Sequence, residues 1–325
     1  MKALAPVEKI YHLLVGAKNF FYDRYFLKTI KLKIPVVSVG NLSFGGVGKT
    51  PCIILLAREL SLEYKVTIVT KSYKASLREP GMVNLNTAHA AETFGDEACL
   101  IQQKLPNCTV WSGPNKASSA AASIITQPNI ILLDDGFSHR KLYRNFDLVL
   151  IDATQGFDNY QRESINSLKR AHAVLITKTN LSNKKAISEI ERKILSVSPQ
   201  LKESLFQSGV KTELKLKKTD PLFVFCGLGR PQTFIKDLEQ QGYRVIHKKY
   251  YADHFFYSVV EQKKIAEEYL DLQLKYKNLK LVTTEKDFIK ISENSLKENL
   301  FVPEHSIDLD SVQKEVLIEK IRQSL

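Results

Sequence analysis

One stretch, residues 35–51 (PVVSVGNLSFGGVGKTP), constrains the fold of this chain more than any other. Its β-branched run at residues 36–39 predicts a short buried strand. Three glycines and a Lys-Thr pair follow, and then a run of good helix formers. Pro51 suits the first turn of a helix, where its missing N–H is not needed. A strand, a glycine loop, Lys-Thr and a helix in this order predict a phosphate-binding loop.

The residue types of this loop suit phosphate chemistry. Glycines let backbone N–H groups surround phosphate oxygens, and the helix N-terminus adds partial positive charge. Lys49 is expected to reach the β- and γ-phosphates, and Thr50 to hold Mg²⁺. The strict motif has glycine where this chain has Ser43, so an ordinary glycine-rich turn is the alternative interpretation. The predicted cofactor-binding residues are Ser43, Gly45, Gly46, Val47, Gly48, Lys49, Thr50 and Pro51.

Composition and charge narrow the class of protein. The chain has 325 residues, of which 44% are hydrophobic and 25% charged, as in globular proteins. A net charge of +12 favours anionic partners such as a nucleotide, a phosphorylated lipid, a membrane surface or nucleic acid; a generally basic proteome is the alternative. No signal peptide and no apolar run near the roughly 18 residues of a spanning helix is evident. The four cysteines lack metal-ligand spacing, so we expect core residues in a reducing compartment.

Residues 1–33 predict an amphipathic helix ahead of the first strand. Apolar residues, several of them aromatic, recur there at near-helical spacing. This segment contains seven Lys and Arg residues and two acidic residues, which gives it a local net charge of +5. Aromatic, basic, amphipathic helices are typical of a membrane interface. Packing of this helix against the domain core is the alternative.

Residues 34–200 predict a P-loop core with a doubly wound, mostly parallel α/β sheet. Further buried strands, alternating with helical segments, are expected at residues 66–70, 109–111, 129–134, 147–151 and 173–176. Asp134 and Asp135 end one strand, at the sheet edge where α/β folds bind ligands. Asp96 is predicted to cap a helix.

The chain changes character after residue 200. Residues 201–221 lose apolar density and gain lysines, which predicts a linker or one arm of a hairpin. Residues 222–325 then predict a second, smaller α/β domain that closes a cleft. Its expected strands lie at residues 222–226, 244–247, 280–283 and 301–302.

Together these motifs resemble the tetraacyldisaccharide 4′-kinases of lipid A synthesis. The matching stretches are residues 39–51, 95–97, 134–139, 225–231, 253–254 and 283–287. They keep the family's order over nearly the whole chain, and the family usually has Ser or Thr at position 43. The resemblance implies ATP and Mg²⁺ as cofactors. It also implies transfer of the γ-phosphate of ATP to the 4′-hydroxyl of a tetraacyl disaccharide 1-phosphate.

The resemblance also implies roles for single residues. Asp96, His254 and Lys49 would be catalytic, with Asp96 accepting or orienting the hydroxyl proton and His254 as its partner. Thr50 and Asp135 would be the metal ligands. Without the resemblance, His254 would be interpreted as a solvated loop histidine.

Several positions depart from the family pattern. Residues 70–73 are Thr-Lys-Ser-Tyr where Ser-Arg-Gly-Tyr is usual, and Asn115-Lys116 replaces Asp-Arg. Ser138 replaces a glutamine, and a longer segment is shortened to Arg162-Glu163-Ser164. Lysine binds phosphate as a point charge, whereas arginine binds it with a planar fork. The motif at residues 283–287 equally fits a helix capping box, Thr284-x-x-Asp287.

The resemblance implies a set of partners and a location. We expect the acylated disaccharide 1-phosphate lipid as substrate and an anionic membrane surface as a peripheral partner. The expected location is cytoplasmic, on the inner face of the bacterial inner membrane. No nucleic acid and no obligate protein partner are expected.

Two other classes of protein compete with this hypothesis. One is a regulatory P-loop NTPase that acts on a protein partner. Residues 177–180, Thr-Lys-Thr-Asn, echo a guanine-reading motif but lack both its Asn and its Asp. The other is a non-catalytic membrane-surface protein that kept the fold. The intact candidate residues argue against it: Lys49, Thr50, Asp96, Asp135 and His254.

Overall fold

A computed structural model describes residues 5–43, 45–157, 161–229 and 231–325 of the chain, with side chains from Leu14 onward. Thirteen strands lie within these ranges: β1 (Val36–Asn41), β2 (Val66–Lys71), β3 (Gly81–Met82), β4 (Thr109–Gly113), β5 (Ile130–Asp134), β6 (Phe146–Asp152), β7 (Ala173–Thr177), β8 (Leu205–Glu213), β9 (Pro221–Cys226), β10 (Arg244–Tyr250), β11 (Lys280–Val282), β12 (Leu300–Phe301) and β13 (Glu304–Leu309).

The α-helices of the same ranges are α1 (Ala5–Asp23), α2 (Lys49–Leu60), α3 (Ala90–Phe94), α4 (Asp96–Lys104), α5 (Lys116–Ser123), α6 (Lys184–Val197), α7 (Pro231–Gln240), α8 (Val259–Gln273), α9 (Glu285–Phe288), α10 (Asn294–Lys297) and α11 (Ser311–Arg322). Short 3₁₀ turns connect some of them.

The larger sheet has the strand order β13-β8-β7-β6-β1-β5-β2-β4-β3. All its neighbours pair in parallel except at the two edges, where β3 and β13 run antiparallel. All six residues of β1 are buried, as expected for a central strand covered on both faces. Apolar clusters lie on both sides of this sheet. The predicted doubly wound, mostly parallel α/β fold is confirmed.

The smaller sheet has the order β10-β9-β11-β12, and all its strands are parallel. Helix α7 packs on one face through Phe234 and Leu238, and α8 packs on the other through Ile265 and Tyr269. The second half of the chain therefore contains the α/β layers that its sequence predicts.

Two segments lie elsewhere than the sequence predicts. Residues 201–221, expected as a linker or hairpin arm, contain β8, which pairs in parallel with β7 and antiparallel with the distant β13. Only Phe206 and Ser208 of this strand are buried, while its Lys211 and Glu213 are exposed, so the sequence shows no run of buried residues there. Strand β13 and α11 return to the larger sheet, and Leu317 and Ile321 join its core. The proposed domain boundaries remain predictions.

Candidate active site

The phosphate-binding loop joins β1 directly to the N-terminus of α2. Gly48 occupies the cap position with a φ of 93°, in the left-handed region where a glycine avoids strain. It offers no side chain to the helix, so the N–H groups of the first turn keep their hydrogen-bonding capacity for another acceptor. This arrangement is an anion site.

Lys49 extends from this helix toward the end of β5. Its Nζ lies 3.2 Å from Oδ1 of Asn41 and 3.6 Å from Oδ1 of Asp135. Asn41 in turn donates from Nδ2 to the carbonyl of the buried Ser43, at 2.6 Å. The loop, its lysine and one predicted metal ligand are thus brought together at the carboxyl ends of neighbouring strands.

Asp135 sits among three cations. Its Oδ2 accepts from Arg162 at 2.6 Å, and Nζ of Lys116 donates to its carbonyl at 2.5 Å. Burial alone would raise the pKa of Asp135, but Lys49, Lys116 and Arg162 hold that pKa far below its usual range. Asp135 therefore stays ionised. Lys116 and Arg162 were noted in the sequence only as departures, and no local signal placed them beside Asp135.

Asp134 is buried behind Asp135. Its Oδ2 accepts from the hydroxyl of Thr70 at 3.0 Å, and its Oδ1 has no hydrogen-bond partner among the described residues. Burial and the nearby charge of Glu97 raise the pKa of Asp134. Two carboxylates and the hydroxyl of Thr50, which lies in the first turn of α2, are oxygen donors of the kind that Mg²⁺ prefers. The residues present therefore fit a magnesium ion.

The second centre of the site is a contact between the two halves of the chain. Oδ2 of Asp96 lies 2.8 Å from Nδ1 of His254, and Asp96 is only 7% exposed. Asp96 is not the cap of α4, as its sequence had suggested. Gly95 takes that position with a φ of 96°, and Asp96 is the first helical residue. Its Oδ1 accepts from the N–H of Glu97 at 2.8 Å, and its Oδ2 faces His254.

The loop that carries His254 contacts the loop that follows β2. The ring of Tyr73 lies 5.2 Å from that of His254, and Nζ of Lys74 donates to the carbonyl of Asp253 at 3.2 Å. The hydrogen bond to Asp96 raises the pKa of His254 against the effect of burial. Burial would raise the pKa of Asp96, but its bond to His254 lowers it below the usual value. Each group thus favours the charged form of the other.

Two lysines lie beside this pair, Lys286 in α9 and Lys290 just after that helix. Lys286 pairs with Glu97, and Nζ of Lys290 lies 4.0 Å from Oδ2 of Asp96 and 2.8 Å from Oδ1 of Asp287. The capping interpretation of residues 283–287 is also confirmed, since Thr284 accepts from the N–H of Asp287 at 3.2 Å. The same motif therefore begins a helix and carries Lys286 beside the site, while Lys290 lies three residues after the motif.

Helix α1 is docked beside the segment that follows Asp135. Lys18 donates to the carbonyl of Ser138 at 3.2 Å, and Arg140 pairs with Asp23 at 2.7 Å. Apolar side chains at and after the end of the helix stay largely exposed: Leu14, Phe20, Phe21, Tyr25 and Phe26. Within the described part of the chain, no helix combines the length and apolar character that crossing a bilayer requires.

A family model described as tetraacyldisaccharide-1-P 4′-kinase matches residues 1–325. The chain belongs to this kinase family. A curated tetraacyldisaccharide 4′-kinase of Bdellovibrio bacteriovorus is 33% identical over 311 residues, which cover 89% of this chain and 88% of the relative. That of Flavobacterium psychrophilum is 31% identical and covers 96% and 94% of the two chains.

A solved structure agrees with these relatives. It is LpxK from Aquifex aeolicus in complex with ATP, with a TM-score of 0.76 and 26% identity over 99% of this chain and 98% of that one. Membership of the tetraacyldisaccharide 4′-kinase family confirms the predicted enzyme class, an ATP- and Mg²⁺-dependent kinase of an acylated disaccharide lipid. The roles of the individual site residues remain predictions. The measured distances describe only how these residues are arranged.

Proposed function

We propose that this kinase transfers the γ-phosphate of ATP to the 4′-hydroxyl of a tetraacyl disaccharide 1-phosphate, using Asp96 to orient the hydroxyl. The contact that carries this proposal is the 2.8 Å bond between Asp96 and His254. Asp96 is the first residue of α4, and the charges of Lys286 and Lys49 lower the pKa of the next residue, Glu97, against the effect of burial. An acceptor held at Asp96 would therefore face the nucleotide.

On the nucleotide side, the glycine loop and the first turn of α2 bind the phosphates of ATP. Lys49 contacts the β- and γ-phosphates, while Thr50 and Asp135 hold Mg²⁺. The bound ion neutralises phosphate charge and fixes the orientation of the phosphoryl group. Asp135 suits this role because its carboxylate stays ionised at any physiological pH.

On the acceptor side, Asp96 accepts a hydrogen bond from the 4′-hydroxyl. As the hydroxyl oxygen bonds to the γ-phosphorus, the bond from that phosphorus to ADP breaks and the hydroxyl proton passes to Asp96. His254 keeps Asp96 ionised before the transfer and holds its carboxylate in place. The two side chains come from different halves of the chain and are in direct contact.

Further cations compensate the charge of the transferred group and of the 1-phosphate. Lys116, at the start of α5, and Arg162 lie beside Asp135, while Lys286 of α9 pairs with Glu97 and Lys290 lies beside Asp96. Preorganised cations of this kind act most strongly where charge develops in the transition state. Lys116 stands where the family usually has an arginine, so this chain contributes a point charge there.

The kinase also acts at a membrane surface in this proposal. Exposed aromatic side chains such as Phe20 and Phe26 lie next to basic residues such as Arg24 and Lys28, a combination that favours anionic bilayers. The polar side of α1 is tied to the segment after Asp135 through Lys18 and Arg140. In this proposal the protein is peripheral on the cytoplasmic face of the inner membrane. A lipid of that bilayer can then enter the cleft of the kinase.

The deciding experiment is a transfer assay with γ-labelled ATP and a disaccharide 1-phosphate in mixed micelles. We expect label on the lipid with the parent protein and labelling that is slower by about 10²-fold or more with the Asp96→Asn variant, which should still bind ATP. Labelled inorganic phosphate without labelled lipid, stimulated by a protein partner, would favour the regulatory NTPase instead.

A further inference from the structure

Residues 177–180 form a sequence motif that the proposed function leaves unused. Asn180, which echoed a base-reading residue, is occupied elsewhere. Its Nδ2 donates to the carbonyl of Val210 at 3.0 Å, and its Oδ1 accepts from the N–H of Val210 at 2.9 Å. The amide therefore fastens β8 to the loop after β7. The two residues at the start of the motif, Thr177 and Lys178, point to the phosphate-binding loop.

Lys178 contacts the backbone of the phosphate-binding loop. Its Nζ lies 2.7 Å from the carbonyl oxygen of Gly46 and 2.5 Å from Oδ2 of Asp152. Asp152 ends β6 and is 2% exposed, and its Oδ1 accepts from both the N–H and the hydroxyl of Thr154, at 2.9 and 2.6 Å. Asp152 thus fixes the ammonium group of Lys178 and compensates its charge. Lys178 therefore affects the loop by orienting the carbonyl of Gly46 and not by adding net charge.

Thr177 binds the next carbonyl along the loop. Its fully buried hydroxyl donates to the carbonyl oxygen of Val47 at 2.9 Å. Two successive peptide groups of the loop are therefore held by two successive residues at the end of β7.

These two bonds determine where the loop N–H groups point. In a planar trans peptide, the C=O and the following N–H face opposite ways. Holding the carbonyls of Gly46 and Val47 toward β7 therefore turns the N–H groups of Val47 and Gly48 away from it. The N–H of Val47 indeed points across the loop, where it donates to the carbonyl of Gly45 at 3.1 Å, and the N–H of Gly48 points away from β7 as well.

We propose that Thr177 and Lys178 are positioning residues that hold the phosphate-binding loop in its ATP-binding conformation. Gly45 and Gly46 are exposed, and glycines lose more conformational freedom on ordering than other residues. Anchoring them in advance lowers the entropic cost of binding. The proposal rests on the proposed function only for the identity of the nucleotide.

The test is equilibrium binding of ATP with Mg²⁺ to the full chain. We expect Lys178→Ala and Thr177→Val each to weaken ATP binding about tenfold, the effect of losing one hydrogen bond to a carbonyl that must stay oriented. Lys178→Arg and Thr177→Ser, which keep a donor, should stay within about threefold of the parent. The matched control is Lys314→Ala, which removes an ion pair with Glu59 of the same 2.5 Å length at the far end of α2 and should bind normally.

A steady-state measurement separates positioning from a general loss of structure. The KM for ATP should rise while the KM for the lipid stays unchanged, and the melting temperature without nucleotide identifies a variant that fails to fold. Should Lys178→Ala unfold, the isosteric Thr177→Val carries the test. Parent-like ATP binding by the folded donor-free variants would overturn the proposal, and so would equal losses in their donor-keeping counterparts. Loss of lipid phosphorylation with this binding pattern intact would contradict the proposed function alone.

Discussion

The nucleotide side and the acceptor side of this kinase are built in different ways. The nucleotide side is mostly one continuous stretch, in which β1, the glycine loop and the start of α2 follow each other between residues 36 and 51. The acceptor side joins Asp96 to His254, 158 positions later in the chain and beside a different sheet. A local motif can bind phosphate by its own geometry, whereas the acceptor pair depends on how two parts of the chain pack together.

The largest effect we predict falls on the nucleotide side. Lys49→Ala removes the cation that faces both Asp135 and the transferred phosphate, so turnover should drop about 10²-fold or more. Steady-state rates at saturating ATP and lipid check this, with Lys314→Ala as the control. Turnover close to that of the parent would show that the loop is not the transfer site.

The second prediction concerns the membrane. Phe20→Ser with Phe26→Ser should raise the KM for lipid in anionic vesicles about tenfold, because each exposed aromatic side chain loses apolar burial in the bilayer. The matched control is Phe256→Ser, a side chain of similar exposure beside the smaller sheet. Both proteins should keep the parent KM for ATP. If the control and the double variant bind vesicles equally, α1 is not the membrane-binding element.

The smallest effect should appear in stability, on the acceptor side. Because contact with Asp96 raises the pKa of His254, its stabilisation is complete below about pH 6.5 and is lost as the pH rises through the raised pKa. For Asp96 the pKa is lowered, so its stabilisation is present above about pH 3.8 and is lost as the pH falls through the lowered value. The pair therefore stabilises the fold most between these limits.

Urea unfolding of His254→Asn at pH 5.5 and pH 9 measures this difference. Asparagine tolerates the left-handed backbone of His254, which has a φ of 59°, and it does not titrate. The loss in the free energy of unfolding should be larger at pH 5.5. The control is His89→Asn, also left-handed at 54° and 2.8 Å from Glu92, but exposed, so its effect should be small at both pH values. A loss for His254→Asn that does not change with pH would contradict the pairing.

The sequence predicts the nucleotide side better than the acceptor side. The first depends on patterns of neighbouring residues, and the second on contacts between residues that are distant in the sequence. Six strands of the larger sheet (β1, β2 and β4 to β7) and the phosphate-binding loop could be located because buried β-branched runs and glycine spacing are local features. Strand β8 was missed because it pairs with the distant β13 and shows one buried side only. The Asp96–His254 pair came from the family resemblance, since no local pattern joins residues so far apart.

The cations around Asp135 show the same limit. Lys116 begins α5, and Arg162 lies between β6 and β7. Both contact the carboxylate of Asp135 only because the chain folds around the larger sheet. Asp96 likewise looked like a helix cap, because Asp is favoured at that position. A glycine with a φ of 96° takes the position instead, and Asp96 contacts the N–H of Glu97 with one oxygen and His254 with the other.

The measurement that tests the acceptor side most directly is a double-mutant cycle on single-turnover phosphate transfer. Asp96→Asn, His254→Asn, the double variant and the parent are compared at saturating ATP, with ATP affinity measured in parallel. We predict that each single variant loses about 10²-fold or more in rate at nearly unchanged ATP affinity. The double variant should be little worse than either one, because two groups that act as a unit are non-additive. Losses that multiply in the double variant would show that Asp96 and His254 act independently, and would contradict the proposed pair.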